Sequence, residues 1–420
     1  SARAAAAEAD AELAAGNDRG LLHGIPLGIK DIIATQESAT TGQSLVHAPG
    51  WADDQGDAPV VARLREAGAI IIGKTSTMEF AIGMPDPAKP FPVPRNPWNA
   101  ERWTGGSSSG TGAGLAAGCF LGGLGTDTGG SVRIPAAFCG ITGHKQTFGL
   151  VPKSGCIPLG FSLDHIGPMA RSVADCTAML QVMAGPDDGD ATSVAAELDW
   201  SIVESGVGDG NALVGLKIGV ERANHLEAAG VVPEAVAVFE AAVAQLAAAG
   251  AELVDFEVPH YDLMRAAGMM TSRAEATSYH RSDLADRWSD YGVHTSKAVS
   301  MGTLVSGADY VQAQRARRMV NAELSHRMAD VDVVVTPTAG CGAPEVDGLD
   351  HNSFTSWPVF TQYWNPTGLP ALALPMGFTD DGLPLSLQIV GPGFADPLVL
   401  QVGQAYQAAT DWHLQLPPVG

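Results

Sequence analysis

Between Gly105 and Gly130, eleven of twenty-six residues are glycine, and no other feature of the chain restricts its fold as tightly. Glycine loses more conformational freedom on folding than any other residue, so such density persists only where backbone approaches something closely or turns through positive φ. The segment therefore reads as backbone held close to a neighbour or in positive φ. A second constraint precedes it. Five prolines, at 85, 87, 90, 92 and 94, remove too many backbone donors for a helix or a central strand and predict a stiff, extended loop from Met84 to Pro94.

Elsewhere the apolar pattern alternates between periods. The first fifteen residues are Ala-rich and stop at Gly16, as a helix does. Leu27 to Ile33 is a short apolar run around Lys30, and Ala62 to Ile72 passes from a helical pattern through Gly68 into a β-branched strand at Ile70 to Ile72. Leu213 to Val220 and Ala251 to Phe256 read as strands flanking an Ala-rich helix, Pro233 to Ala249. Ala266 to Asp330 is mostly helical in pattern. Val331 to Val335, Ala371 to Pro375 and Leu385 to Val390 are further strand candidates before a last helix near Leu398 to Ala409. Helices between strands predict an α/β fold. The polar, glycine-rich stretch Asp199 to Asn211 is the best candidate for a linker or surface excursion. We expect one domain over 1–420, with a core of about 1–200 and 331–420 and an embedded helical, substrate-side excursion over about 200–330.

Charge narrows the partners. Asp plus Glu number 46 against 24 Lys plus Arg, a net charge of −22. A field of that sign repels phosphate backbones, so no nucleic acid is expected, and small molecules are the expected partners. The longest apolar window, Gly112 to Gly125, is broken by six glycines, and no basic segment followed by an apolar one opens the chain. A cytoplasmic protein without membrane contact is expected. The five cysteines show no CxxC spacing and predict buried free thiols, and neither His144 nor His165 pairs with a second ligand, so neither metal nor cofactor is expected.

Three motifs compete. Gly68 to Thr75 matches the phosphate loop G-x-x-x-x-G-K-[ST], with Lys74 in the lysine position. That loop wraps phosphate with flexible backbone, whereas Ala69 to Ile72 is an apolar β-branched run that prefers a buried strand. Gly106 to Gly110 contains G-x-S-x-G, which in an α/β-hydrolase esterase would make Ser108 the nucleophile. Such an elbow follows a strand, and the preceding NAERWT is polar. The third reading joins Lys30 after GIPLGI, the GGSSSG run at 105–110 and GTDTGGSVRIP at 125–135.

In this order the three pieces resemble the amidase signature family of serine hydrolases. The resemblance spans nearly the whole chain, through RNPWN at 95–99, AAFCGITGHK at 136–145, SLDHIGPMARSVAD at 162–175, VVVTPT at 333–338, NPTGLPALALP at 365–375 and LQIVG at 387–391. It implies a central mixed β-sheet covered by helices on both faces. It also implies hydrolysis of an amide-type carbon–nitrogen bond through a seryl acyl-enzyme. By resemblance Ser131 is the nucleophile, Ser107 the proton relay, Lys30 the base, and the backbone amides of Thr128, Gly129, Gly130 and Ser131 the oxyanion donors. Taken alone, GTDTGGS also reads as a tight turn capping a helix. Lys30 acts as a base only when neutral, which requires burial in an apolar setting such as GIPLGI provides. Ser108 and Ser109 are expected to hold the loop and Lys30 in register, and Asp127 with Arg133 to form a supporting ion pair.

The same family includes the A-type amidotransferase subunit that makes glutaminyl-tRNA within a larger complex. From that subunit this chain departs at Ile134, where a glutamine is typical, and at Gln146 to Lys153, so a stand-alone monomer or homodimer is expected. A catalytically silent binding protein is the reading from another class. Beside the proline-rich loop, Phe80, Met84, Phe91, Trp357, Tyr363 and Trp364 either line an aromatic pocket or belong to the core. The pocket reading predicts an aryl amide, anilide or carbamate (urethane) as substrate.

Overall fold

A computed structural model describes residues 1–46, 56–204, 211–350 and 356–418. Ten strands form one mixed sheet in the order β2-β1-β3-β5-β4-β9-β10-β8-β6-β7. They are β1 (Pro26–Lys30), β2 (Ile70–Thr75), β3 (Gly122–Asp127), β4 (Thr142–Lys145), β5 (His165–Ala170), β6 (Lys217–Glu221), β7 (Glu252–Phe256), β8 (Val333–Pro337), β9 (Ala371–Phe378) and β10 (Pro384–Val390). Pairing is parallel at the two ends, β2-β1-β3 and β8-β6-β7, and antiparallel between them.

The glycine-dense segment turns out to contain a strand. β3 reads GGLGTD, a poor strand sequence by propensity, yet every residue of it is buried. The reason is close approach from both faces. A Cβ on Gly123 would meet Thr111 at 2.8 Å and one on Gly125 would meet the Ser108 hydroxyl at 2.7 Å, both on the face of helix α3 (Ser109–Ala116), which follows α1 (Ala2–Ala14) and α2 (Pro59–Glu66) in the chain. Gly122, pointing the other way, faces Met179 of α4 (Val173–Met183). Two helices thus clamp one strand from opposite sides, and only glycine leaves room for both.

Lys217–Glu221 and Glu252–Phe256 extend the central sheet, with the helix α5 (Pro233–Ala248) connecting them. The excursion expected over residues 200 to 330 is therefore helical only in its later part, because a β-α-β unit of this pattern completes the sheet edge. Of the linker candidate Asp199 to Asn211, residues 205–210 lie outside the described residues, and Ser201–Glu204 is a short helix. The helical layer proper comprises α6 (Tyr261–Asp286), α7 (Val293–Ser300) and α8 (Gly307–Met328). Among the described residues no helix is long and apolar enough to cross a membrane.

Gly68 to Thr75 is not a phosphate loop. Ile70–Thr75 is strand β2, and Lys74 Nζ donates to the Ile33 carbonyl and to Thr40 Oγ1. The β-branched run prevailed over the letter pattern. The five cysteines are free; Cys139 and Cys176 are buried as expected, but Cys119 is exposed at the turn that follows α3.

Candidate active site

β1 and β3 run parallel, pairing Leu27 with Gly122 and Ile29 with Leu124. Their carboxyl ends therefore lie side by side, the usual position for a site in an α/β sheet. Lys30 is the last residue of β1 and is wholly buried. Its ammonium donates to Ser107 Oγ at 2.7 Å and to Thr126 Oγ1 on β3 at 2.7 Å. Burial pulls its pKa down to about 7, against the opposing pull of charges including Asp127 and Asp164. A lysine in this state is available to take a proton near neutrality.

Ser107 follows a cis peptide bond from Gly106. Its carbonyl accepts from the Met78 amide at 3.1 Å and from the Thr77 hydroxyl at 3.0 Å, which fixes the loop beneath the side chain. The Ser108 hydroxyl is fully buried and joined to the Thr126 backbone, accepting from its N–H at 3.2 Å and facing its carbonyl at 3.3 Å. It pins the serine loop to β3 and is not exposed as an elbow nucleophile would be. Ser109 opens α3 beside a small recess under the proline-rich loop, away from the bonds that hold Lys30.

After β3 the chain turns through Thr128, Gly129, Gly130 and Ser131 before the short helix Arg133–Cys139. Gly130 takes φ +128°, and a Cβ there would collide with the Thr361 hydroxyl. The Gly130 amide donates to Asp127 Oδ1 at 2.8 Å. This removes it from the four oxyanion candidates, because an N–H already held by a buried carboxylate is not free for a second anion; Thr128, Gly129 and Ser131 remain.

Asp127 and Arg133 form a buried two-bond pair, Nε to Oδ2 at 3.0 Å and Nη2 to Oδ1 at 2.9 Å. Burial alone would raise the Asp127 pKa, but the Arg133 guanidinium holds it well below the ordinary carboxylate range. Arg133 also donates to the Thr361 carbonyl at 3.0 Å, Gln388 Oε1 at 2.7 Å and Asn365 Oδ1 at 2.8 Å. Asn365 and Gln388 sit within the NPTGLP and LQIVG segments. Their place in this network was not read from the sequence, because nothing local links positions more than two hundred residues apart.

Ser107 and Ser131 open together into one cavity of about 960 Å³, mouth included. Of the six residues expected to line an aromatic pocket, only Met84 borders it. Phe80 packs on His280 and Tyr291, Trp357 on Trp103, and Tyr363 and Trp364 lie in the core, where the Tyr363 hydroxyl donates to the Pro259 carbonyl at 2.8 Å. Phe91 borders the separate recess of the proline-rich loop. Phe80, Tyr363 and Trp364 are buried in packing that includes the helical layer, where their large apolar area is removed from water, whereas Phe91 and Trp357 are half-buried elsewhere. The apolar part of the cavity wall is instead aliphatic and thioether, with Met78, Ile82, Leu159, Leu163 and Met269 among its residues.

The Amidase family matches residues 1–400. The chain belongs to the amidase family. This amidase is 38% identical to the A-type subunit of the glutamyl-tRNA(Gln) amidotransferase of Roseiflexus castenholzii, over 100% of its own length and 88% of that protein. Among solved structures it resembles a chain of a vestigial protein complex tied to the evolutionary origins of an s-triazine catabolic enzyme. That match has a TM-score of 0.87 and 31% identity, covering 97% of this chain and 88% of that one. It also resembles the peptide amidase of Stenotrophomonas maltophilia, with a TM-score of 0.82 and 30% identity, covering 97% and 86%. The mixed α/β architecture of the amidase is that of these structures, and the amidase acts on amide-type carbon–nitrogen bonds.

Proposed function

We propose that this amidase cleaves a carboxamide through an acyl-enzyme on Ser131, with Ser107 as proton relay and Lys30 as base. The observation that carries the reading is the 2.7 Å bond from the buried Lys30 ammonium to a serine that shares its cavity with Ser131. Neutral Lys30 takes the Ser107 proton as Ser107 takes that of Ser131, and Ser131 Oγ attacks the carbonyl carbon. The negative charge that develops on the carbonyl oxygen meets the free amides of the 128–131 turn, each worth roughly 3 to 4 kcal/mol. Collapse of this intermediate breaks the C–N bond, and the proton held on Lys30 returns through Ser107 to the departing nitrogen. Water then follows the same proton route to release the acid and restore Ser131.

An aryl amide, anilide or carbamate remains the proposed substrate type, on a different basis from aromatic stacking. Methionine walls are polarisable and adjust to flat apolar groups, and the cavity volume is ample for one. A fluorophosphonate followed by peptide mapping tests the site. An adduct on Ser131 that disappears in Lys30→Ala supports the assignment, whereas an adduct on Ser108 defeats it.

The second reading is an A-type amidotransferase subunit that works with partners, favoured by 38% identity along the whole chain. Against it stand Ile134 and the Gln146 to Lys153 segment. Steady amide hydrolysis by the isolated chain supports the stand-alone reading; hydrolysis that appears only with added partner subunits supports the other.

A further inference from the structure

Helix α6 crosses the cavity with one face. Arg265, Gly268, Met269, Ser272 and Arg273, at spacings of three and four, all border the same space as Ser107 and Ser131. Two of the five are arginines, and among the described residues that line the cavity none is acidic. In a chain of net charge −22 this is a local inversion of sign.

Arg273 is the more telling of the two. Its Nε is buried without a hydrogen-bond partner, and no carboxylate pairs with its guanidinium among the described residues. Burial lowers its pKa from the usual arginine value. Arg265 has a buried Nε without a partner as well, and its only ion pair among the described residues is a 3.7 Å contact with the exposed Asp262. It lies 5.3 Å from the Tyr261 ring centroid. Both arginines are half-buried at the cavity wall, and a guanidinium whose Nε is out of water and that no close anion neutralises gains when an anion enters the cavity. A planar guanidinium matches a carboxylate through two parallel bonds. The global negative field disfavours polyanions, so a single carboxylate fits better than a phosphate.

We propose that the cavity recognises an amide substrate that carries a carboxylate remote from the scissile bond, bound by Arg273 with Arg265 assisting. The proposal rests on the Ser131 reading for the position of the scissile bond, and adds the class of substrate.

Two matched pairs test it. On the acyl side, glutaric acid mono-4-nitroanilide is compared with pentanoic acid 4-nitroanilide; on the amine side, N-acetyl-4-aminobenzoate with N-acetyl-4-toluidine. In one pair the carboxylate substrate is expected to lead in kcat/KM by roughly 100-fold. That lead falls to a few-fold in Arg273→Met and is partly kept in Arg273→Lys, which retains the charge. Binding is read apart from turnover by titrating glutarate into the Ser131→Ala variant, with and without Arg273→Met. Binding that depends on Arg273 supports the inference even if the fluorophosphonate fails to label Ser131, in which case only the acyl-enzyme reading falls. If neither pair shows a preference, or if glutarate binding survives Arg273→Met, the inference is overturned while Ser131 labelling still stands.

Discussion

Arg133 grips Asp127 through two bonds, at 2.9 and 3.0 Å, and the same carboxylate accepts the amides of Gly130 and Val132 at 2.8 and 3.2 Å. These amides belong to the residues on either side of Ser131. The ion pair is therefore the inner support of the turn that presents the proposed nucleophile, and it acts on Ser131 through backbone alone.

Removing one partner of that pair leaves the other charged, buried and alone. Arg133→Met is expected to destabilise the fold by about 3 to 5 kcal/mol. Urea unfolding followed by tryptophan fluorescence measures it; an unchanged midpoint would mean that the pair does not support the turn.

Acylation should depend on pH through Lys30. The lysine must be neutral to accept a proton and titrates at about 7, so the rate is expected to rise with pH through that value and then level off. Lys145 is also held to about 7, by burial and then by Arg133, so the midpoint needs an assignment. Thr126→Val provides it, because Thr126 accepts a bond from Lys30. Loss of that acceptor disfavours the ammonium, and the midpoint should move to lower pH. A midpoint that stays put in Thr126→Val would assign the titration to another group.

Stability carries the same signature with a definite sign. Lys30 titrates at about 7 when folded and at roughly 10.4 when unfolded, so folding is penalised fully below the lower value, and the penalty fades as pH rises towards the upper one. Lys30→Met removes the penalty. The change in melting temperature on making this substitution should be more favourable at pH 6 than at pH 9, as differential scanning calorimetry would show. An equal change at both would contradict the burial argument.

Gly130→Ala should be damaging out of proportion to one methyl group. At φ +128° an alanine is strained, and its Cβ would overlap the Thr361 hydroxyl, which itself donates to the Gly129 carbonyl at 2.7 Å. Labelling of Ser131 is expected to fall by roughly 100-fold or more, because the displaced turn carries both Ser131 and the amides of Gly129 and Ser131 that remain free. Gly129→Ala, with only Gln362 near at 3.8 Å, should be tolerated far better.

Much of this is legible in the sequence. Lys30, Ser107 and the 128–131 turn stand out because each lies in a short, distinctive run, and strands such as β8 and β10 declare themselves by short runs rich in Val, Ile and Leu that are buried throughout. β3, β4 and β5 do not, since glycines and polar residues carry no strand signal and are strands here only because neighbours press on both sides. The aromatic residues mislead for a related reason: a ring near a motif in sequence fills whatever void the tertiary fold offers. Arg265 and Arg273 carry a signal that sequence reasoning missed, a polar stripe of helical period inside a long helix, whose meaning depends on what that stripe faces.

The sheet and the helical layer meet at the cavity but come from different stretches of chain. Lys30, Ser107 and Ser131 sit on or next to β1 and β3, whereas one wall of the cavity comes from a single helix of 26 residues. Such a division puts the proposed substrate contacts and the proposed bond-breaking groups on separate stretches of chain. The four side chains that α6 brings to the cavity, Arg265, Met269, Ser272 and Arg273, can be exchanged with no strand shifted in register, so the wall that meets the substrate can vary while the proposed bond-breaking groups stay where they are.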